Sequence, residues 1–279
     1  MARTIPEKRR AFRSMHESGC FVLPNPWDVG SARLLVHLGF EALATTSSGH
    51  AWATGRADYS VTLDDVLRHL TALVPSVDVP VNADFESGFA TEPEGVARNV
   101  GMALATGVAA LSIEDRDMRK PAALYDTALA VERVRAARAA IDAAGDEPGS
   151  AALLVGRTEG LLADPRAVHA AIDRLVALAD AGADCLYAPG VIQKDDIAAM
   201  VRAVAPKPLN VLVTKPGMTL AEFRDLGVRR LSVGGALARI AWGAVIAAAE
   251  SLREGSFAGL ANAASGSMLN QTFRAYPCP

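Results

Sequence analysis

Four charged side chains stand where three predicted parallel strands end. Asp84 and Glu86 close one apolar run, Glu114 closes the next, and Arg157 closes the one after that. Several carboxylates that face one small cavity repel one another unless a cation lies between them. Mg²⁺ fits such a cluster, because it takes oxygen ligands and keeps waters that a substrate can replace. We therefore predict a Mg²⁺ site, which Mn²⁺ could also fill. Side chains alternate along a strand, so Asp84 and Glu86 should face the same side, and Glu114 should lie beside them.

A second group of polar residues offers hydrogen-bond donors to an anion. The run Ser47-Ser48-Gly49 follows the second predicted strand, and its N–H groups and hydroxyls suit a carboxylate or a developing oxyanion. Arg157 can hold a second carboxylate as a two-pronged donor. Each feature also has a structural interpretation. Acids at strand ends cap helices, Ser47-Ser48-Gly49 can be only a turn, and Arg157 can pair with Glu159 or Glu114.

Other reactive side chains are isolated in the sequence. His50, Asp58 and Glu159 are candidates for the general acid or base, although a loop histidine without an evident carboxylate partner is usually structural. Lys215 could form a Schiff base, but an ordinary loop lysine is the simpler interpretation. The cysteines form no CxxC motif and no Cys/His cluster, so we expect neither a zinc site nor a catalytic thiol from Cys20, Cys185 and Cys278.

Short apolar runs alternate with longer helix-patterned runs, which is typical of a parallel sheet. Eight such units in one chain predict an α/β fold of the (β/α)₈ or TIM-barrel type, whose active site lies at the carboxyl ends of the strands. A doubly wound open sheet is the alternative, but no GxGxxG follows the first strand. The predicted strands are Phe21–Pro24, Ala42–Thr46, Pro80–Asp84, Ala109–Glu114, Ala152–Thr158, Cys185–Ala188, Leu209–Val213 and Arg230–Val233.

The runs between these strands have the period and the boundary residues of helices. Asp164-Pro165 places a capping carboxylate before a proline at a first helical position, and Leu226-Gly227 ends a helix at a glycine that tolerates positive φ. We treat residues 1–279 as one barrel domain, with a short extension from about Glu254 that forms a small extra helix or an arm. The predicted helices lie near Val29–Leu38, Leu63–Leu73, Pro93–Thr106, Leu129–Ala144, Pro165–Ala181, Asp195–Val204, Leu220–Leu226 and Ala236–Leu252.

Composition argues against several classes of function. The net charge is −3, with 28 Lys and Arg against 31 Asp and Glu and no basic stripe, so nucleic-acid binding is not expected. No apolar run reaches membrane-spanning length without a charge or a Gly/Pro break, so no membrane segment is expected. Isolated cysteines suit a reducing compartment, and we expect a cytoplasmic protein that binds a small molecule.

Four motifs occur in a fixed order along the chain. Gly55-Arg56-Ala57-Asp58 comes first, and Asp84-Phe85-Glu86-Ser87-Gly88-Phe89-Ala90 follows it. Leu111-Ser112-Ile113-Glu114-Asp115 and Gly156-Arg157-Thr158-Glu159 come next. Together they resemble the isocitrate lyase and phosphoenolpyruvate mutase superfamily, whose pattern D-x-D-x-G-F/Y-G is matched here with Glu for the second Asp and Ala for the last Gly. The resemblance covers nearly the whole chain.

The resemblance implies a (β/α)₈ barrel whose eighth helix swaps between partners, which gives dimers and tetramers. It also implies that Asp84 binds Mg²⁺ directly, that Glu86 and Glu114 bind it through water or at longer range, and that Asp58 lies over the metal. Ser47, Ser48 and Gly49 would hold the substrate carboxylate or enolate, and Arg157 would bind the substrate. The catalytic residues would then be Asp58, Arg157 and Glu114.

Departures from the family limit which activity the resemblance implies. The family's lyases have a K-[KR]-C-G-H loop after the fourth strand, whose Cys is the catalytic acid, whereas Arg116–Pro121 holds neither Cys nor His. Pro189 stands where the lyases place a Glu, and Leu212 stands where an Asn is expected. A 2-methylisocitrate-type cleavage that needs the thiol is therefore not expected.

We expect a Mg²⁺-dependent lyase or hydrolase that acts on a C–C or P–C bond of a small 2-oxo or 2-hydroxy carboxylate. The metal and Ser47-Ser48-Gly49 would stabilise an enolate-like oxyanion, and Arg157 would orient the substrate. Two alternatives stay open. One is a non-catalytic or regulatory barrel, suggested by the missing Cys loop, and the other is a metal-free Schiff-base aldolase that uses Lys215.

The predicted eighth helix is apolar on nearly every face from Ala236 to Ala249. A helix that covers one side of a barrel needs only one apolar stripe, so the other faces need a second partner. Trp242 would supply a large anchor of the kind enriched at interfaces. We therefore predict a homodimer or homotetramer. In the alternative, the tail after Gly255 covers the helix within one chain.

Overall fold

Eight parallel strands form one sheet that curls into a nearly closed barrel. The computed structural model describes residues 2–120, 123–145, 147 and 149–276. The strands are β1 (Phe21–Leu23), β2 (Leu43–Ala44), β3 (Val81–Asp84), β4 (Ala110–Glu114), β5 (Leu153–Arg157), β6 (Cys185–Tyr187), β7 (Leu209–Leu212) and β8 (Arg230–Ser232). They pair in the order β1–β8–β7–β6–β5–β4–β3–β2. At the seam between β1 and β2, the Ala44 N–H donates to the Pro24 carbonyl (3.1 Å). The (β/α)₈ barrel and all eight predicted strands are thereby confirmed.

Twelve helices of the described residues surround or cover this barrel. They are α1 (Ile5–Met15), α2 (Val29–His37), α3 (Ser47–Ala53), α4 (Leu63–Leu73), α5 (Pro93–Ala105), α6 (Thr127–Ala143), α7 (Gly160–Ala163), α8 (Val168–Asp180), α9 (Lys194–Val204), α10 (Leu220–Asp225), α11 (Ala236–Arg253) and α12 (Gly266–Arg274). Reciprocal side-chain to backbone caps, such as Thr62 with Asp65 at α4, fix where several of them start. Within the described residues, no helix combines the length and hydrophobicity that crossing a membrane requires.

Two sequence-based boundaries were wrong. Ser47-Ser48-Gly49, expected as a turn, begins α3, because the Thr46 side chain accepts a hydrogen bond from the Gly49 N–H and caps the helix. The helix expected from Pro165 begins at Val168 instead. Asp164 does not cap it, since this residue ends α7 and its carboxylate accepts from the Arg166 N–H (3.0 Å).

Helix α1 covers the amino-terminal end of the barrel, a role that the sequence patterns did not predict. Phe12 is fully buried among residues near the strand starts, including Leu153. The Lys8 ammonium donates to the Val77 carbonyl (2.7 Å), and the Arg9 guanidinium donates to the Val108 carbonyl (3.0 Å). The basic side chains of α1 therefore satisfy main-chain carbonyls at this end of the barrel, while Phe12 fills its centre.

Helix α11 leaves most of its apolar surface uncovered. Ala238 is its one buried residue, whereas Ile240, Trp242 and Ile246 are 68%, 42% and 56% exposed. The 3₁₀ turn Ala258–Leu260 packs against α11, and α12 packs against α2 instead. The described part of the tail therefore forms the small extra helix that we expected, and it does not cover this apolar face.

Replacing Phe12 with Ala tests the role of α1. Because Phe12 is fully buried, the substitution leaves a cavity and should lower the free energy of unfolding by about 3–5 kcal/mol. Urea denaturation followed by circular dichroism measures this change. The matched control is Ile192→Ala at a side chain that is 74% exposed, and it should stay within about 0.5 kcal/mol of the parent. Equal effects of the two substitutions would show that α1 does not stabilise the barrel.

Candidate active site

A small polar cavity opens at the carboxyl ends of the strands. Its volume is about 130 Å³, which is room for roughly ten water molecules and suits a small metabolite rather than a nucleotide. Five of the predicted site residues line it: Ser47, Ser48, Asp58, Asp84 and Arg157. Side chains from β3, β4, β5, β6, β7 and β8 also contribute, so the cavity extends into the barrel.

Arg157, the last residue of β5, lies among three carboxylates. Its guanidinium is 2.6 Å from Glu159, 3.2 Å from Asp84 and 3.3 Å from Glu114. Both pairings that the sequence left open are therefore present, and Asp84 is a third. Burial lowers the pKa of Arg157, but Glu159 and Glu114 outweigh it and raise the pKa well above its usual value. Arg157 is a fixed positive charge in the wall of the cavity.

Asp84, the last residue of β3, is held from two sides. Its Oδ2 accepts hydrogen bonds from the Ser47 N–H (2.9 Å) and the Ser47 hydroxyl (2.8 Å), and its Oδ1 accepts from Arg157. The Asp84 N–H donates to the Thr45 hydroxyl (2.9 Å), which fixes the end of β3 against the residue that follows β2. These contacts hold the Asp84 carboxylate in one orientation.

Glu86 and Glu114 are buried behind the cavity wall with unsatisfied oxygens. Both oxygens of Glu86, and Oε1 of Glu114, have no hydrogen-bond partner among the described residues. Burial, reinforced by Asp84, raises the pKa of Glu86 to about 8. Burial also raises the pKa of Glu114, although Arg157 opposes the shift. Strand alternation does not apply to Glu86, because β3 ends at Asp84 and Glu86 has a left-handed backbone (φ 46°).

These acids fit the donor set of a hard cation. Buried carboxylate oxygens without partners are rare in folded proteins and call for a cation, a proton or ordered water. With the side chains as they stand, no group of three or more His, Cys, Asp or Glu in the described residues is arranged to hold a metal ion. Arg157 occupies the centre of the cluster instead. The residues present fit Mg²⁺ in the chemistry of their oxygen donors.

Asp58 and Tyr59 approach the cluster from the loop between α3 and α4. Burial, followed by the charge of Asp84, raises the pKa of Asp58. Tyr59, which the sequence did not single out, has a left-handed backbone (φ 60°), and its hydroxyl donates to Glu159 (3.4 Å). The Arg116 guanidinium lies 3.7 Å from the centre of the Tyr59 ring. The loop therefore brings a carboxyl with a raised pKa and a phenol to the mouth of the cavity.

Asp115 fixes the chain that carries Glu159. This buried carboxylate accepts from the Thr158 hydroxyl (2.7 Å), the Glu159 N–H (2.9 Å) and Arg174 (3.1 Å). The adjacent acids Glu114 and Asp115 thus have different tasks. Glu114 contacts Arg157 in the cluster, and Asp115 anchors the segment after β5.

Several sequence candidates lie outside the cavity wall. Gly49 is buried, and a Cβ there would lie 2.6 Å from the Thr46 side chain and 3.0 Å from Trp27, so its place demands glycine for packing. His50 stacks on His69 at 4.0 Å, and burial lowers its pKa. Lys215 is exposed and is not among the lining residues.

The described cysteines are also absent from the wall. Burial raises the pKa of the Cys20 thiol to about 11, and it raises the pKa of Cys185 as well. Both shifts disfavour the thiolate, which is the nucleophilic form of cysteine. Cys278 lies outside the described residues.

Polar residues inside the strands complete the cavity, and the sequence reasoning missed them. Asn82, Asn210 and Arg230 line its inner part, where the apolar runs were interpreted only as core. Asn25 closes the seam after β1, because its side chain donates to the Thr45 carbonyl (2.9 Å) and accepts from the Val233 N–H (2.9 Å). Leu212 lines the cavity where an Asn was expected. Alternation could have found Asn210, which stands two residues before Leu212 on the same face of β7.

An acid cluster around one arginine, at the carboxyl ends of an eight-stranded barrel, lies where TIM-barrel proteins have their active sites. The chain belongs to the phosphoenolpyruvate phosphomutase family, whose profile matches residues 12–253. This confirms the resemblance that the motifs gave.

Individual relatives are 31–43% identical to this chain over the regions that align. It is 32% identical to 2-methylisocitrate lyase of Salmonella typhimurium over 67% of this chain and 63% of that protein. It is 31% identical to oxaloacetate decarboxylase of Paraburkholderia xenovorans over 71% of this chain and 66% of that protein. A solved structure from Burkholderia cenocepacia J2315 is 43% identical, covers 98% of both chains and superposes with a TM-score of 0.91. Proteins of this family include lyases and mutases that act on carboxylates.

The raised pKa of Glu86 predicts a specific pH dependence in chelator-treated protein. Below about pH 4.5 the carboxyl is protonated in both the folded and the unfolded chain, so it contributes nothing. As the pH rises towards 8, the unfolded chain releases the proton and the folded chain keeps it, so stability is lost across this window. Glu86→Gln should therefore become more stable than the parent between pH 5 and 8, by at most on the order of 4 kcal/mol.

Denaturant titrations at several pH values measure this difference. The control is Glu132→Gln, at an exposed helical residue, which should follow the parent at every pH. Parallel stability curves for Glu86→Gln and the parent would show that Glu86 is not a buried, unpaired acid.

Proposed function

We propose that this protein is a Mg²⁺-dependent lyase or hydrolase that acts on a C–C or P–C bond of a small 2-oxo or 2-hydroxy carboxylate. The proposal rests on the acid cluster around Arg157 in the wall of a small polar cavity, with unsatisfied oxygens on Glu86 and Glu114 behind that wall. Two relatives named above are a lyase and a decarboxylase of such carboxylates, which supports the reaction class.

In this proposal the acids hold the metal. Asp84 would bind Mg²⁺ or Mn²⁺ directly, since it is the acid of the cluster that lines the cavity, and Glu86 and Glu114 would act through water or at longer range. When bound, the ion would stabilise negative charge on an enolate-like oxygen of the substrate. It would also favour the ionised form of Glu86, whose carboxylate is otherwise unpaired.

Arg157, Ser47 and Ser48 bind the substrate in this account. Arg157 would give up its contact with Asp84 and donate two hydrogen bonds to the substrate carboxylate, a geometry that its planar group favours. The hydroxyls of Ser47 and Ser48 line the same part of the cavity and would donate to the carboxylate or the enolate oxygen. Gly49 would contribute indirectly, because it has no side chain and so lets Ser47-Ser48-Gly49 pack tightly against Thr46.

Asp58 is the acid that we assign to proton transfer. Its raised pKa increases the fraction that is protonated near neutral pH, and it lines the cavity. Glu159 is tied to Arg157, and His50 lies outside the cavity wall, so both are poorer candidates. Asp58 would thus supply the proton that the family's lyases take from the cysteine missing here.

The alternatives from the sequence have less support. A Schiff-base aldolase needs a lysine in the cavity, and Lys215 is exposed outside it. Buried carboxylates that lack hydrogen-bond partners are unfavourable for folding. A non-catalytic barrel would have no need of them. The free thiols of Cys20 and Cys185 are compatible with a cytoplasmic location, which we include in the proposal.

Metal binding is the first test of this function. Asp84→Asn keeps the size of the side chain but removes its charge, so Mg²⁺ or Mn²⁺ binding should weaken at least about 100-fold in calorimetry. Asp225→Asn, at an exposed helical acid, should bind as the parent does. Oxaloacetate, substituted malates, 2-methylisocitrate and phosphonopyruvate should be screened for turnover with Mg²⁺ and with chelator. Undiminished binding by Asp84→Asn, or turnover that ignores Mg²⁺, would contradict the proposal.

Assembly is the second test, because we propose that α11 packs on a second copy of the chain. Its exposed apolar face includes Trp242, and a large exposed apolar face usually marks a surface that binds another protein. Light scattering at micromolar concentration should report a dimer or tetramer, and Trp242→Glu should shift the population towards the 29.1 kDa monomer. Leu38→Glu, at an exposed leucine just after α2, should leave the assembly unchanged. A monomeric parent would refute the proposal.

A further inference from the structure

The inner end of the cavity contains a buried cation. Arg230, the first residue of β8, is 3% exposed and lines the cavity together with Asn82 of β3 and Asn210 of β7. Its Nε donates to the Asn210 side-chain oxygen (2.8 Å), and its Nη1 donates to that of Asn82 (3.3 Å). The interiors of such barrels are normally filled by branched aliphatic side chains, so three polar residues here need an explanation.

Arg230 has no counter-ion among the described residues. Its two hydrogen-bond partners are neutral amides, and no carboxylate of the described chain forms an ion pair with it. Asp184 is a nearby acid, because its charge and that of Arg230 both shift the pKa of Cys185. Its carboxylate already accepts hydrogen bonds from Arg138 (3.0 Å) and from the Leu154 N–H (2.8 Å). A buried charge without a partner is strongly unfavourable, so the site is incomplete as it stands.

The surrounding contacts hold the guanidinium in one orientation. The Asn82 amide donates to the Ala83 carbonyl (3.0 Å), and the Asn210 amide donates to the Ser232 hydroxyl (3.0 Å). Both asparagines therefore turn their oxygens towards Arg230. Its Nη2 has no hydrogen-bond partner among the described residues. A donor that is fixed in place and unused, on a residue that lines the cavity, is what an anionic group of a ligand requires.

We propose that Arg230, positioned by Asn82 and Asn210, binds a second carboxylate of the substrate and makes the protein selective for small dicarboxylates. This inference rests on the proposed function, which places the reacting carboxylate at the outer end of the cavity beside Arg157 and Ser47. Arg157 and Arg230 both line this cavity of about 130 Å³, so a small diacid would find a cation for each of its carboxylates.

A matched pair of ligands isolates this subsite. Malate and 2-hydroxybutyrate share the 2-hydroxy carboxylate and differ in that a distal carboxylate replaces a methyl group. In Mg²⁺ buffer, calorimetry should show that the parent binds malate at least about 30-fold more tightly. Arg230→Met should lose this preference by weakening malate at least about 30-fold, while 2-hydroxybutyrate stays within about threefold of the parent.

Asn82→Asp provides a second variant in case Arg230→Met folds poorly. It conserves size and places a carboxylate where Arg230 now contacts an amide, so it supplies an internal counter-ion. We expect a higher midpoint of thermal unfolding without ligand, together with loss of the preference for malate.

The outcomes separate this subsite from the function on which it rests. A preference for malate that survives in Arg230→Met or in Asn82→Asp would overturn the subsite proposal. In that case, Mg²⁺-dependent binding of both acids would still support the proposed function. If both acids bind equally well with and without Mg²⁺, and also bind to Asp84→Asn, the proposed function is contradicted. The subsite proposal would fail with it.

Discussion

The position of Arg157 among Asp84, Glu114 and Glu159 is the interaction on which the rest of the site depends. These carboxylates come from the ends of three neighbouring strands, and a single guanidinium 2.6 to 3.3 Å away balances their repulsion. Glu86 stays outside this balance, and its buried oxygens accept no hydrogen bond from the described residues. The cluster therefore has one positive charge and a surplus of acid. In our account a divalent cation neutralises that surplus and releases Arg157 for the substrate.

The fold provides the rigidity that such a cluster needs. Asp84 is held through Thr45 and Ser47 at the end of β2, and Asn25 bridges the seam of the barrel beside it. Asp115 anchors the segment that carries Glu159. Neighbouring strand ends thus hold one another in place by hydrogen bonds between side chain and backbone. A site built in this way keeps its charges close together even before a ligand arrives.

Much of the fold could be predicted from the sequence, because alternating apolar runs report strands and helices directly. The acids at strand ends could be predicted for the same reason. Other features depend on tertiary structure. Glu86 lies beyond the end of β3 with a left-handed backbone, and the Thr46 cap makes Ser47-Ser48-Gly49 the start of a helix. Arg230 follows a second arginine, Arg229, at the start of its strand, so only the closed barrel shows that it faces a cavity.

A crystal structure with Mn²⁺ and oxalate, in which anomalous scattering locates the metal, would show whether the acid cluster binds a divalent cation. Oxalate resembles the enolate of a 2-oxo acid in shape and charge. We expect a Mn²⁺ peak beside Asp84 on the side of Glu86 and Glu114, with the Arg157 guanidinium moved from Asp84 onto an oxalate carboxylate. A metal bound elsewhere, or an Arg157 that keeps its contact with Asp84 while oxalate occupies the cavity, would contradict this expectation.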